Sequence, residues 1–171
     1  MKGSGLRNVH LGIESANQRI LDDVYKKGIK LEDVGRAVDI LNKNNVTIMG
    51  FFMLGAPGET KEELEKTIRF ASNLNIQEAT FSIASPLPNT GLYDLVEKLG
   101  FPISDDFEDF NYYSSRAFDD GIYTYKQLKR LQFKALLMLY LKPSRLGYIL
   151  KHFASKRGFI KLMRKVMRFF K

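Results

Sequence analysis

Three times within its first hundred residues the chain repeats one unit: a short apolar run, a turn, and a stretch of helical period. The runs are VHLGI (9–13), VTIMGFFML (46–54) and EATFSIASP (78–86). Each is rich in β-branched or aromatic residues and too short for a free-standing helix, so each reads as a strand. The second is continuously apolar and reads as a strand buried on both faces. Between the strands, SANQRILDDVYKKG offers Ser15 or Asn17 as an N-cap and Gly28 as a stop. LEDVGRAVDILNKNN sets Leu31, Val34, Ala37, Val38 and Leu41 on one helical stripe, and Thr60 to Glu63 form a capping box that opens the next helix. NTGLYDLVEKLG (89–100) is a third short helix. Alternation at roughly 35-residue spacing means right-handed βα units and a parallel sheet. Three such units are half of an eight-fold barrel or the core of a doubly wound sheet, and neither closes well alone. The N-terminal half of the sheet is therefore expected elsewhere.

Charge divides the chain near Asp120. Residues 1–120 hold 13 Lys/Arg against 19 Asp/Glu, a net −6, whereas residues 121–171 hold 14 Lys/Arg and no acid, a net +14. Residues 1–100 read as the half barrel, 101–123 (with DDFEDFNYY) as an acidic, aromatic covering loop, and 124–171 as a basic amphipathic helical extension. Within the extension, 125–150 reads as a cap over the core. The segment 156–171 interleaves Leu162, Met163, Val166, Met167, Phe169 and Phe170 with cations, a pattern suited to an anionic membrane surface. Nucleic acid is the rival partner and is disfavoured, because no stacking platform accompanies the charge. The 171 residues include no cysteine, which excludes disulfides and any thiolate ligand from this chain. MKGSGLRNVHLG lacks a signal-peptide core and no long apolar run occurs, so a reducing cytoplasm is expected, with peripheral membrane contact through the tail.

Ligands of α/β folds sit at the carboxyl ends of strands. GIES (12–15), GAPGE (55–59) and SPLPNTG (85–91) all fall there, and together they would form one rim. GAPGET does not serve phosphate, since Glu59 stands where a phosphate loop needs Lys and a carboxylate repels the anion. Gly55, Pro57 and Gly58 would shape the turn, with Glu59 either on the rim or complementing the helix dipole. Glu14 ends a strand and should point into the rim, beside Ser15. Lys26 and Lys27 could face solvent or a ligand carboxylate. His10 reads as packing and His152 as surface. Two histidines and no cysteine make no metal site, and no Ser–His–Asp arrangement is legible.

HLGIESANQRILDDVYKKG, GFFMLGAPGETKEELEKTIRFA and ATFSIASPLPNTGLYD together resemble the C-terminal half of a radical SAM domain. The subfamily with an upstream cobalamin-binding domain, which includes Mg-protoporphyrin monomethyl ester cyclase-like and hopanoid methylase-like proteins, is the best match. DDFEDFNYYSS and YTYKQLKRLQFKALLMLYLKPSRL also look like that subfamily's extension, so the resemblance covers about residues 5–150. It implies a partial (β/α)₆ barrel, S-adenosylmethionine, and a [4Fe–4S] cluster on CxxxCxxC, with cobalamin upstream. Residues 9–85 would supply the fourth to sixth strands. Glu14 would contact the methionine or ribose end of the cofactor, with Ser15 beside it, and Lys26 would meet the methionine carboxylate, Lys27 aligning nearly as well. The strand and turn 50–58, with Gly55, Pro57 and Glu59, would wall the nucleoside, and Ser85 to Pro88 would form the last rim loop. The cluster motif is missing from this sequence. The implication is a non-catalytic part of a radical SAM enzyme, with a cluster-bearing half on the same or a separate chain as its partner.

Overall fold

The computed structural model describes residues 3, 5–111, 114–143, 145, 147 and 160. The tail readings on 156–171 therefore lie outside the described residues, Ile160 apart, as does His152. Three strands form one open sheet: β1 (Asn8–Glu14), β2 (Thr47–Leu54) and β3 (Glu78–Ile83), in that order and all parallel. Helices α1 (Leu31–Lys43), α2 (Lys61–Asn73), α3 (Gly91–Lys98) and α4 (Tyr125–Tyr140) complete the chain order. This is an α/β half barrel: three parallel strands that do not close, followed by a helical element.

β2 shows which face is covered. Ile48, Gly50, Phe52 and Leu54 are buried, while Thr47, Met49, Phe51 and Met53 between them are half-buried. The expectation that β2 is buried on both faces is thus corrected. Helices cover one face, and the alternate residues look out from the other. The covered face carries the core, in which Phe52, Phe81, Ile48 and Leu54 meet Val34 and Val38 of α1, Leu64 and Ile68 of α2, and Ala135 and Leu139 of α4. Phe52 stacks on Phe81 with ring centroids 5.3 Å apart. Gly50 is glycine for room: a Cβ there would lie 2.9 Å from both Ile76 Cδ1 and Phe52 Cε2.

The segment after β1 departs from the expected helix. Its regular part is a wide turn at Ile20–Val24, closed by Tyr25 N–H to Ile20 O at 3.0 Å, and the chain leaves it before Gly28. Neither Ser15 nor Asn17 caps it; Arg19 holds that position without a side-chain capping bond. Such i→i−5 turns are rare and occur often at functional sites. α2 opens on the expected capping box, Thr60 with Glu63, and α4 on a second, Thr124 with Gln127.

α4 lies against α2 and β3. Gln132 donates to Phe81 O at 2.6 Å, Ser72 Oγ donates to Met138 O at 3.2 Å, and Lys134 pairs with Glu65 at 2.6 Å. Beyond α4, the buried Arg145 donates to the carbonyls of Ile76, Ser72, Leu139 and Leu74, clamping the last turns of α2 and α4 together. Among its described residues, the 101–123 segment holds a short 3₁₀ turn at Phe107–Asp109 and an antiparallel bridge, Ile103 to Phe118. Among the described residues no helix is long and apolar enough to cross a membrane.

Candidate functional site

The three loops follow the carboxyl ends of parallel strands and so lie at one end of the sheet, and the first of them is built around Glu14. Parallel register runs regularly from Asn8–Thr47 to Gly12–Phe51, then slips so that Glu14 faces Phe52. Ile13 is thereby left out of the ladder as a bulge, a device that re-aims the next side chain. Glu14 adopts φ +64°, a left-handed conformation unusual for a non-glycine residue. Its carboxylate accepts from Lys27 Nζ at 2.8 Å, and the two side chains are 16% and 33% exposed. The pair stands directly over Gly12, where a Cβ would lie 2.8 Å from Glu14 Oε1 and 2.9 Å from Lys27 Nζ. Lys26, the first-named candidate, is exposed with φ +47°, and the chain turns there to bring Lys27 back. Of the two lysines the structure unites Lys27 with Glu14.

Magnitudes show that stability alone does not account for this arrangement. A half-exposed ion pair contributes about 0–1 kcal/mol. A non-glycine residue held left-handed costs on the order of 1–3 kcal/mol. The strain outweighs the pair, and its product is an opposed carboxylate and ammonium at a strand end. Gly12→Ala is expected to push that pair apart to beyond 4 Å in a crystal structure while changing unfolding free energy by no more than about 1 kcal/mol, because both obstructing groups are flexible ends.

The GAPGE loop answers to its own glutamate. Glu59 is 0% exposed, and Oε2 accepts from Gly55 N at 2.9 Å and Ala56 N at 3.2 Å. Gly55 and Gly58, at φ +71° and +70°, supply the left-handed corners that fold the side chain back. Burial pushes the carboxyl up to about 7, against the two N–H bonds that favour its ionised form. Glu59 is therefore an internal brace of the turn and does not line an open rim. Pro57 is buried with it.

Ser15 is likewise turned inward. It is fully buried, with its hydroxyl 3.2 Å from Thr67 Oγ1 and accepting from Asn17 N. Asn17 Nδ2 donates to Glu63 O at 2.8 Å, and Arg19 makes two bonds to the Glu63 carboxylate and a third to Gly58 O at 3.1 Å. These residues bolt the turn after β1 to the start of α2. Sequence reading missed Asn17, Arg19 and Thr67 in this role; the one available signal was that Glu63 already belonged to a capping box at the same edge.

Ser85 follows β3 and is buried, and the ladder continues to it through Ala84 N to Leu54 O at 3.0 Å. Beside it a small hollow is lined by Gly55, Ile83, Ala84, Ser115, Phe118, Asp120, Tyr123 and Leu128. Residues of the 101–123 segment thus close over the ends of β2 and β3. Burial, reinforced by the charge of Glu59 and other acids, pushes the Tyr123 hydroxyl up to about 12, so it remains a donor at neutral pH. His10 is exposed, with its ring edge-on to Phe51 at 5.5 Å on the open face of the sheet.

The family model for the radical SAM superfamily matches residues 1–71, the stretch that holds Glu14, Lys27 and the Glu59 turn. Those residues belong to the radical SAM superfamily. Relatives of this radical SAM segment include an uncharacterized methyltransferase of Pyrococcus horikoshii, 34% identical over 164 residues, covering 94% of this chain and 34% of the relative. The anaerobic magnesium-protoporphyrin IX monomethyl ester cyclase of Rubrivivax gelatinosus is 34% identical over 110 residues, 64% of this chain and 19% of the relative. A tRNA-2-methylthio-N(6)-dimethylallyladenosine synthase of Buchnera aphidicola is 34% identical over 84 residues, 48% and 19%. The chain spans about a third or less of the length of these curated relatives.

Proposed function

We propose that this chain supplies the S-adenosylmethionine contacts and the substrate rim of a radical SAM enzyme whose cluster is carried by another polypeptide segment. The carrying observation is the Glu14–Lys27 pair, held by backbone strain over Gly12 at a strand end. The methionyl end of the cofactor is a zwitterion, with an ammonium and a carboxylate on one carbon. Glu14 would hold the ammonium or a ribose hydroxyl, and Lys27 the carboxylate, each exchanging its present partner for the ligand's opposite charge. Gly12, having no Cβ, lets both charged groups stand over the strand end, so the donor and acceptor present fit the two charges of the methionyl group. The strand and turn 50–58 would wall the nucleoside, with Glu59 bracing the turn from beneath. Ser85 and the hollow under Tyr123 would border the substrate.

Bound at a reduced cluster, the cofactor supplies one-electron chemistry in this family. The [4Fe–4S] group itself does not fit this chain, whose 171 residues include no cysteine, and no step is assigned to it here. Cobalamin rests on the subfamily resemblance and is assigned to no residue of this chain. A cluster-bearing segment has a place to join: β1 pairs with β2 on one side, and among the described residues no strand pairs with its other edge, where a further parallel strand would fit. Methyl transfer, methylthiolation and ring closure are all represented among the relatives' names, and none is chosen over the others. Contact of 156–171 with an anionic membrane stays a second proposal, tested by pelleting with anionic liposomes before and after deletion of that segment.

The principal test is S-adenosylmethionine binding by the full chain together with a cluster-bearing half. Glu14→Gln is expected to weaken it about tenfold or more, the loss of one charge-assisted contact. Binding indifferent to Glu14→Gln would remove the basis of the assignment.

A further inference from the structure

Among the described residues, the hydroxyl of Tyr25, Oε1 of Glu59 and the hydroxyl of Ser85 are buried without a hydrogen-bond partner. Native interiors rarely leave such groups unsatisfied. These three come from the connections that follow β1, β2 and β3, at one end of the sheet. Tyr25 packs against Ile20, Val24 and Ala56, and Ala56 N is one of the two donors that hold the other oxygen of Glu59. Ser85 follows directly on the Ala84–Leu54 bond, the ladder step next to Gly55 and Ala56. Burial, then the charges of Glu59 and Glu14, push the Tyr25 hydroxyl well up, so it stays protonated beside a carboxylate it does not touch. The Tyr25 hydroxyl, a donor, and Glu59 Oε1, an acceptor, thus belong to two side chains that flank the same Ala56 turn, each without a bond.

We propose that Tyr25 Oη and Glu59 Oε1, with Ser85 Oγ as a third partner, bind a single water molecule in a closed site beneath the rim. The chemistry selects the ligand. The bridging species must accept from a phenol and donate to a carboxylate oxygen. A metal ion or an ammonium cannot accept, whereas water does both. Larger hydroxylic molecules have no way in, because Glu59 is 0% exposed and the Tyr25 hydroxyl is fully covered. A buried water typically makes about three hydrogen bonds, so Tyr25 Oη, Glu59 Oε1 and Ser85 Oγ would suffice to hold it. The bound water links the turn that carries Lys27 to the loop that Glu59 braces, so both sides of the rim share one anchor. The site does not depend on the cofactor assignment and is measured without cofactor.

A crystal structure of the full chain should show one density peak within about 2.6–3.2 Å of both Tyr25 Oη and Glu59 Oε1. Tyr25→Phe keeps the ring packing and removes only the hydroxyl; its structure should lack the peak. Carboxyl carbon NMR of the same variant should find the Glu59 midpoint raised by roughly 0.5–1 unit, since a donor network to the carboxylate is lost. A direct Tyr25–Glu59 bond or no peak in the unaltered chain overturns the proposal. So does a peak that persists in Tyr25→Phe, or a Glu59 midpoint that does not move.

Discussion

Glu59→Gln should flatten the pH dependence of folding stability between pH 5 and pH 8. Burial lifts the Glu59 carboxyl from 4.5 to about 7. A group raised on folding contributes stability that is fully present below its unfolded pKa, near 4.5, and lost as pH rises through about 7. The full effect is about 3 kcal/mol at 1.36 kcal/mol per unit, and about 2–3 kcal/mol of it falls between pH 5 and pH 8. Gln stays neutral throughout and can still accept from Gly55 N and Ala56 N through its oxygen. Urea unfolding of both proteins at both pH values gives a double difference from which the other titrating groups cancel. A value of about 2–3 kcal/mol, with the unaltered chain losing more stability on going to pH 8, is expected. A double difference under about 0.5 kcal/mol would show that folding does not raise the Glu59 carboxyl.

Arg145→Met should be the most destabilising single change outside the apolar core. One guanidinium serves carbonyls from four residues: Ile76, Ser72, Leu139 and Leu74. Removing it leaves the terminal carbonyls of two helices dry, and also withdraws the positive charge that complements their dipoles. A loss of about 3–5 kcal/mol is expected. Arg145→Lys should recover little, because an ammonium is a single point and cannot span a fork of acceptors. A chemical-denaturation midpoint showing less than about 1 kcal/mol for Arg145→Met would mean that water or backbone adjustment satisfies those carbonyls instead.

Much of this architecture is written locally. Thr60 with Glu63 marks the start of α2, and the apolar runs mark all three strands within a few residues, because caps and period depend on near neighbours. The place of Glu14 at the end of a strand was legible as well. What was not legible depends on tertiary contact. Ile20, Leu21 and Val24 fit an ordinary helix and a wide turn equally well by spacing, yet the one extra residue in the turn and the positive φ at Lys26 deliver Lys27, not Lys26, to Glu14. Glu59 looks like a rim acid in sequence. Two left-handed glycines around it turn it inward, and only the folded loop shows that its bonds go to its own backbone. Ser15 stands next to Glu14 in sequence but, two residues past the bulge, faces Thr67 in the interior. The apolarity of β2 gave no hint that one of its faces would be open, since apolar side chains occupy both.

The central claim is that Glu14 and Lys27 receive the two charges of the methionyl group. The most direct measurement is titration calorimetry of S-adenosylmethionine into the full chain supplied with a cluster-bearing half, comparing Lys27→Met with Lys26→Met. Affinity should fall about tenfold or more in Lys27→Met and less than about twofold in Lys26→Met. Equal losses, or a larger loss at Lys26, would contradict the geometry on which the assignment stands.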